Sequence, residues 1–150
     1  MGNRVEISLT EDLLSTLQEE HYVTIATVDA ETGAPTVNAI SWIYAKDKQT
    51  VRFAIDCRSQ IIKNIKEEPL VSMTVIAEGS TYSLSGRAKI TAELIEDVPL
   101  KLSMIDLKVS EVKDVMFYGA RLTAEPKFEK TYDEEAAAKL DKQVMNALMK

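Results

Sequence analysis

Residues 34–69, APTVNAISWIYAKDKQTVRFAIDCRSQIIKNIKEEP, hold the reading that decides the fold. Two runs rich in β-branched and aromatic residues, 36–44 and 50–55, flank the polar quartet Lys46-Asp47-Lys48-Gln49, which predicts a hairpin. In the first run Thr36, Asn38, Ile40, Trp42 and Tyr44 share one face, and Val37, Ala39, Ser41 and Ile43 share the other. Both faces are mostly apolar. That predicts cover on both sides: the core on one, and a partner chain, a helix or a ligand on the other. In the second run Val51, Phe53 and Ile55 alternate with Arg52 and Ala54. It leads into Asp56-Cys57-Arg58-Ser59. Beyond these, Ile61, Ile62 and Ile65 recur at helical spacing, opposite Lys63, Lys66 and Glu67, until Pro69 stops the pattern. A strand that delivers Arg58 and Ser59 to a helix start is a candidate anion site. Backbone N–H groups and the helix dipole favour a phosphate there, and an arginine can hold it.

The flanking chain extends this pattern. Residues 8–20 predict a short helix capped by Thr10, with Leu13, Leu14 and Leu17 on one stripe. Residues 21–28 predict a strand ending in a turn at 29–33. Residues 70–76 and 81–94 predict two strands joined by a turn at Ala77-Glu78-Gly79-Ser80, with Gly86 marking a bulge or a close backbone approach. Residues 96–108 predict a helix with Pro99 in its first turn and Leu102 and Ile105 inward. Residues 112–122 predict a sixth strand with Gly119 as a bulge, and 123–130 either extend it or lead outward past Pro126. Residues 133–150 predict a helix capped by Asp133, with Leu140, Val144, Ala147 and Leu148 on its buried stripe. Six strands in hairpin-like succession predict a mainly β, α+β fold, built as a closed or partly closed antiparallel barrel with flanking helices.

Composition narrows the function. A chain of 150 residues predicts one domain spanning 1–150. The net charge of −6 argues against a broad nucleic-acid footprint. A single cysteine, Cys57, rules out an intrachain disulfide and fits a reducing, cytoplasmic setting. Neither a signal peptide nor a bilayer-length apolar run is visible, so no membrane role is expected. The only histidine, His21, lies at a helix-to-strand junction, where a structural or surface role is expected. HExxH, GxSxG and phosphate-loop patterns are absent, and the carboxylates are scattered. The chain displays no self-sufficient catalytic group; if it is an enzyme, a cofactor carries the reaction.

Four features in series carry a resemblance. They are a strand after Gly33-Ala34-Pro35, a hairpin, a helix led by Ser59 and ending near Asn64-Ile65 before Pro69, and a strand carrying Gly86-Arg87-Ala88. Over roughly residues 20–94 the chain resembles the pyridoxamine 5′-phosphate oxidase-like FMN-binding split barrels, notably their small bacterial general-stress members. The resemblance implies a six-stranded split β-barrel and a homodimer with FMN and a small-molecule substrate at the subunit interface. It implies that Val37, Asn38, Ala39, Ser41 and Trp42 lie along the flavin ring, and that Asp56, Arg58, Ser59 and Lys63 serve the ribityl-phosphate end. The chain departs from the family pattern at Asn38, at Ile55 and at Gln60-Ile61, where relatives often carry a basic residue, a hydroxyl and Arg-Lys. These departures imply weak FMN binding or none.

For each residue a second reading stands beside the functional one. Arg58 and Ser59 are phosphate ligands, or a solvated arginine and a helix cap. Trp42 is a flavin wall or an interface residue. Asn38 and Ser41 bond ring edges or satisfy one another, and Lys63 reaches a phosphate or water. The leading expectation is flavin-mediated redox chemistry on an unidentified small molecule. The alternative is a cofactor-free ligand-binding or stress-related protein on the same barrel.

Overall fold

The structure, a computed structural model, describes residues 5–150. Among these lie eight strands: β1 (Val5–Glu6), β2 (Val23–Val28), β3 (Pro35–Ile40), β4 (Ile43–Asp47), β5 (Thr50–Asp56), β6 (Leu70–Ala77), β7 (Ser80–Ala92) and β8 (Leu102–Asp114). Three helices accompany them: α1 (Glu11–Thr16), α2 (Gln60–Glu67) and α3 (Glu134–Met149). The strands form one antiparallel sheet in the order β3-β2-β6-β7-β8-β5-β4, with β1 beside β8.

The run at 36–44, expected as one strand, is two. Only Ser41 and Trp42 separate β3 from β4, yet these strands stand at opposite ends of the sheet order. A chain spans at most about 3.6 Å per residue, so the sheet must curl until its two ends meet. Among the described residues β3 pairs with β2 and β4 with β5, and no ladder joins β3 to β4. The result is an α+β split barrel. Parity explains the break: Ile40 and Ile43 both pack on the inner core. One continuous strand points residues of opposite parity to opposite faces, so the chain must turn at Ser41-Trp42.

The inner core joins the two isoleucines to Phe53, Met73, Leu84 and Leu107, and to the apolar stripes of α1 and α2. A second cluster lies outside the barrel, where Val144, Ala147 and Leu148 of α3 pack on Ala54 and Leu102, with Trp42 and Tyr44 at its edge. The expectation of cover on both faces therefore holds for β4, whose outer face meets α3, and fails for β3 within one chain. Val37 is 65% exposed, and Asn38 and Ala39 are exposed as well.

Local signals held where the backbone demanded them. Thr10, Ser59 and Asp133 cap the three helices through their side chains. Glu78 and Gly79, with φ of 53° and 72°, form the two-residue turn between β6 and β7, of the kind that matches strand twist. At Gly86 a Cβ would overlap the Lys108 carbonyl, and the β7–β8 pairing slips there, leaving Ser110 as the extra residue of a bulge.

Two further expectations are overturned. Residues 96–108 are not a helix: Asp97 takes a left-handed φ of 68°, and from Leu102 the chain is β8. The Leu102–Ile105 spacing suits a helix, but Ile105, Leu107 and Val109 alternate inward, and β8 is paired on both sides by β5 and β7. The strand expected at 112–122 ends at Asp114, whose carboxylate accepts from the Met116 N–H and the Ser80 hydroxyl. Gly119, at φ 88°, belongs to no strand, and residues 123–130 form none.

Candidate functional site

The break between β3 and β4 leaves backbone groups without ladder partners, and both carbonyls there find others. The Ser41 carbonyl accepts from the His21 N–H at 3.1 Å and the Ile43 N–H at 2.9 Å, and the Trp42 carbonyl accepts from the Ala54 N–H at 3.1 Å. The side chains bond outward. Ser41 Oγ donates to Glu20 Oε2 at 2.5 Å, and Trp42 Nε1 donates to Asp141 Oδ1 of α3 at 2.9 Å.

Lys130, on the extended segment before α3, closes this group. Its Nζ donates to Glu20 Oε2 at 2.8 Å and to Asp141 Oδ1 at 2.9 Å. The same nitrogen stands 5.4 Å from the Trp42 ring centroid and 5.7 Å from that of Phe128, within cation–π reach. Burial pulls the Lys130 ammonium toward neutrality, but the hydrogen bonds and charges of Glu20 and Asp141 outweigh it, and its pKa rises.

Two hollows adjoin Lys130. One of about 350 Å³ is lined by Ile40, Ser41, Trp42, Ala54, Ile55, Lys130 and Tyr132. The other, of about 250 Å³, is lined by Tyr22, Ala39, Ile40, Ser41, Phe128 and Lys130. The larger has apolar walls of aliphatic and aromatic groups, with the hydroxyls of Ser41 and Tyr132 and the Lys130 ammonium among its lining. That chemistry suits a planar, partly polar ring.

β5 carries the chain from Ile55, in the larger hollow, straight to the candidate anion site. There Ser59 Oγ accepts the Ile61 N–H at 3.1 Å as cap of α2. Arg58 folds back on Asp56: its backbone N–H reaches Oδ1 at 2.8 Å, its Nε reaches Oδ1 at 3.2 Å, and a terminal nitrogen reaches Oδ2 at 3.1 Å. The Arg58 side chain, foremost through its hydrogen bond, lowers the Asp56 pKa, and Asp56 raises that of Arg58 in return. The Cys57 and Ser59 N–H groups bond Lys101 and Asp56 carbonyls. The ring end of the site thus fits a flavin, whereas most of the phosphate cradle is engaged internally. Arg58, 83% exposed, can rotate away from Asp56.

The predicted residues divide accordingly. Ser41 and Trp42 line the larger hollow and Ala39 the smaller, while Val37 and Asn38 lie on the exposed part of β3. Asp56, Arg58 and Ser59 are contiguous at the end of β5, and Lys63 lies on the exposed face of α2. Sequence reasoning missed Glu20, Lys130, Tyr132 and Asp141. The spacing of Phe128, Lys130 and Tyr132, each two apart before α3, was the available signal. It also missed Asn64, which is 1% exposed. Asn64 Oδ1 accepts the Ala30 N–H at 2.9 Å, and its amide donates to Thr27 Oγ1 at 3.0 Å, tying α2 to the β2–β3 turn. His21 Nε2 lies 3.2 Å from the Ile76 carbonyl, a structural contact from the segment before β2 to β6. Among the described residues no cluster of His, Cys, Asp or Glu could hold a metal, and no helix is long and apolar enough to cross a membrane.

A family model described as pyridoxamine 5′-phosphate oxidase matches residues 9–116. The chain belongs to the pyridoxamine 5′-phosphate oxidase family. This matched span contains the whole barrel from α1 to β8 and stops short of Lys130 and α3. A Lactobacillus delbrueckii protein described as a candidate pyridoxamine 5′-phosphate oxidase shares the fold of this family member at a TM-score of 0.61 and 18% identity, over 75% of this chain and 98% of its own. An F420 reductase does so at 0.52 and 24%, over 64% and 91%. General stress protein 26 of Bacillus anthracis does so at 0.54 and 13%, over 66% and 87%. A search of curated proteins found no significant match.

Proposed function

We propose that this chain is a flavoprotein that binds FMN in the larger hollow and performs flavin-dependent redox chemistry on a small molecule. The observation that carries this reading is the hollow at the strand break, with Ile40, Trp42 and Ile55 as apolar walls and Ser41 at its rim, in a member of this family. FMN, when bound, supplies the electron or hydride transfer that no side chain here can provide. The chain's own contribution is to position and to shield. Trp42 and Ile55 exclude water from the ring, Ser41 offers a hydroxyl to its edge, and Arg58 with the α2 N-terminus receives the phosphate once Arg58 leaves Asp56.

The reading extends to a homodimer. β3 presents Val37, Asn38 and Ala39 to solvent in one chain, next to the smaller hollow that Ala39 lines. A second copy laid on β3 would cover this surface and complete the pocket. The alternative, a cofactor-free binding protein on the same barrel, is favoured by one observation: Asp56 already holds the arginine that a phosphate would need. Absorbance spectra of the purified protein, with and without added FMN, decide between them. Bound flavin bands, or saturable FMN titration at micromolar affinity on the order of 1 μM, support the first. A colourless protein that does not titrate rejects it.

A further inference from the structure

The hydrogen bonds around Glu20 fix the role each polar group can play toward a ligand. Glu20 Oε2 takes the Ser41 hydroxyl proton at 2.5 Å and a Lys130 N–H at 2.8 Å. Ser41 Oγ has thereby committed its only proton, and toward anything else it can only accept. A lysine ammonium carries three N–H groups. Two go to Glu20 and Asp141; beyond the rings of Trp42 and Phe128, the third has no acceptor among the described residues. Because Ser41 and Lys130 bond the same oxygen, this acceptor and this donor stand side by side.

Both residues line the smaller hollow of about 250 Å³, with Tyr22, Ala39, Ile40 and Phe128 as its other walls. Tyr22 and Phe128 are 36% and 48% exposed, so two partly uncovered aromatic rings border it. The volume lies just below the ~300–1,000 Å³ typical of small-molecule sites, so its occupant is small. Charge selects further. One ammonium between two carboxylates leaves one net negative charge, which repels an anion. A cation finds both acids already paired with Lys130. What remains is a neutral group that accepts and donates across one short edge. An alcohol does both through a single atom; an amide presents its carbonyl oxygen and its N–H separately, as two neighbouring groups require.

We propose that the smaller hollow is a subsite for a small, neutral aromatic amide: Lys130 donates its third N–H to the carbonyl oxygen, Ser41 Oγ accepts from the amide N–H, and Tyr22 and Phe128 flank the ring. Lys130 stays where Glu20 and Asp141 hold it, so binding needs no rearrangement of the cluster. Ile40, Ser41 and Lys130 also line the larger hollow, which sets the subsite against the place assigned to the flavin ring. Calling its occupant the substrate rests on the flavin reading; the binding itself does not.

Benzamide and three molecules of its shape test this. Acetophenone keeps the carbonyl and lacks the N–H, benzoate is anionic, and benzamidine is cationic. Trp42 is the sole tryptophan, and it shares Asp141 with Lys130, so its indole N–H resonance reports a titration. Benzamide should bind, acetophenone about fivefold more weakly for the lost hydrogen bond, and both ions more weakly than benzamide. Ser41→Ala should bring benzamide down to the affinity of acetophenone and leave acetophenone unchanged. Nuclear Overhauser contacts should run from the benzamide ring to Tyr22 and Phe128. If Ser41→Ala does not fold, the four ligands on the wild type carry the test. Three results overturn the proposal: benzamide that leaves the Trp42 resonance unmoved, benzamide that binds no tighter than acetophenone or benzoate, or contacts to Ile55 and Tyr132 of the larger hollow instead. FMN is titrated separately. Its failure to bind removes the flavin reading and leaves the subsite to the amide series; protein that binds FMN but not benzamide keeps the flavin and loses the subsite.

Discussion

Asn64 shows how one buried amide can hold two elements in register. It sits in the apolar stripe of α2 yet bonds the Ala30 N–H and the Thr27 hydroxyl, which itself lies 3.1 Å from the Thr36 hydroxyl on β3. Replacing it with leucine keeps the branched outline and strands the Ala30 N–H, while the Thr27 hydroxyl keeps Thr36. Asn64→Leu should lower stability by about 1–3 kcal/mol for the unsatisfied N–H, read by urea denaturation. A variant as stable as wild type would remove Asn64 from this role. Lys130 makes a different prediction at the same scale. Its folded pKa lies above the ordinary lysine value of 10.5, so its stabilising contribution is complete below that value and is lost as pH climbs through the raised one. Glu20 and Asp141 are the acids that face it. The alkaline change in Trp42 fluorescence should therefore shrink in Lys130→Met.

At the scale of elements, α3 acts as a buttress on the outer face of β4, β5 and β8. Leu148 and Val144 are fully buried there, and Arg52 and Lys46 donate to the last carbonyls of the helix, where its dipole favours cations. Arg52 also reaches Asp106 on β8 at 2.7 Å, which fastens the helix end to the sheet. Leu148→Ala should cost about 2–5 kcal/mol. Because α3 also supplies Asp141 to the Lys130 cluster, the same variant should shift Trp42 emission before global unfolding. Two transitions in a fluorescence-monitored melt are the expected result; one transition coincident with circular dichroism would show that helix and site do not loosen separately.

At the scale of the molecule, the split leaves β3 as an edge strand with an apolar residue facing water. Exposed edges of this kind invite pairing with another chain. If a second copy covers β3 and completes the pocket, Val37→Glu should convert a dimer to a monomer and weaken FMN binding together. Light scattering coupled to size exclusion, beside an FMN titration, reads both. A wild-type monomer that binds FMN would detach the site from dimerisation.

What the sequence determined by itself was whatever the backbone settles within a few residues. The caps at Thr10, Ser59 and Asp133, the tight turn at Glu78-Gly79, the close approach at Gly86 and the Ile61-Ile62-Ile65 stripe of α2 all follow from local sterics and periodicity. The family could be recognised because its motifs are local too. The rest waited on partners distant in the chain. Leu102 and Ile105 fit a helix as well as a strand until β5 and β7 claim both edges of β8. The break at Ser41-Trp42 exists because the sheet must meet its own end. Lys130 meets Glu20 from 110 positions away, and Trp42 is reached by Asp141 from 99 positions away. Periodicity says which face of a segment is apolar, but the free energy that selects its neighbour is gained only when the sheet closes, so tertiary structure alone could decide the wall of this pocket.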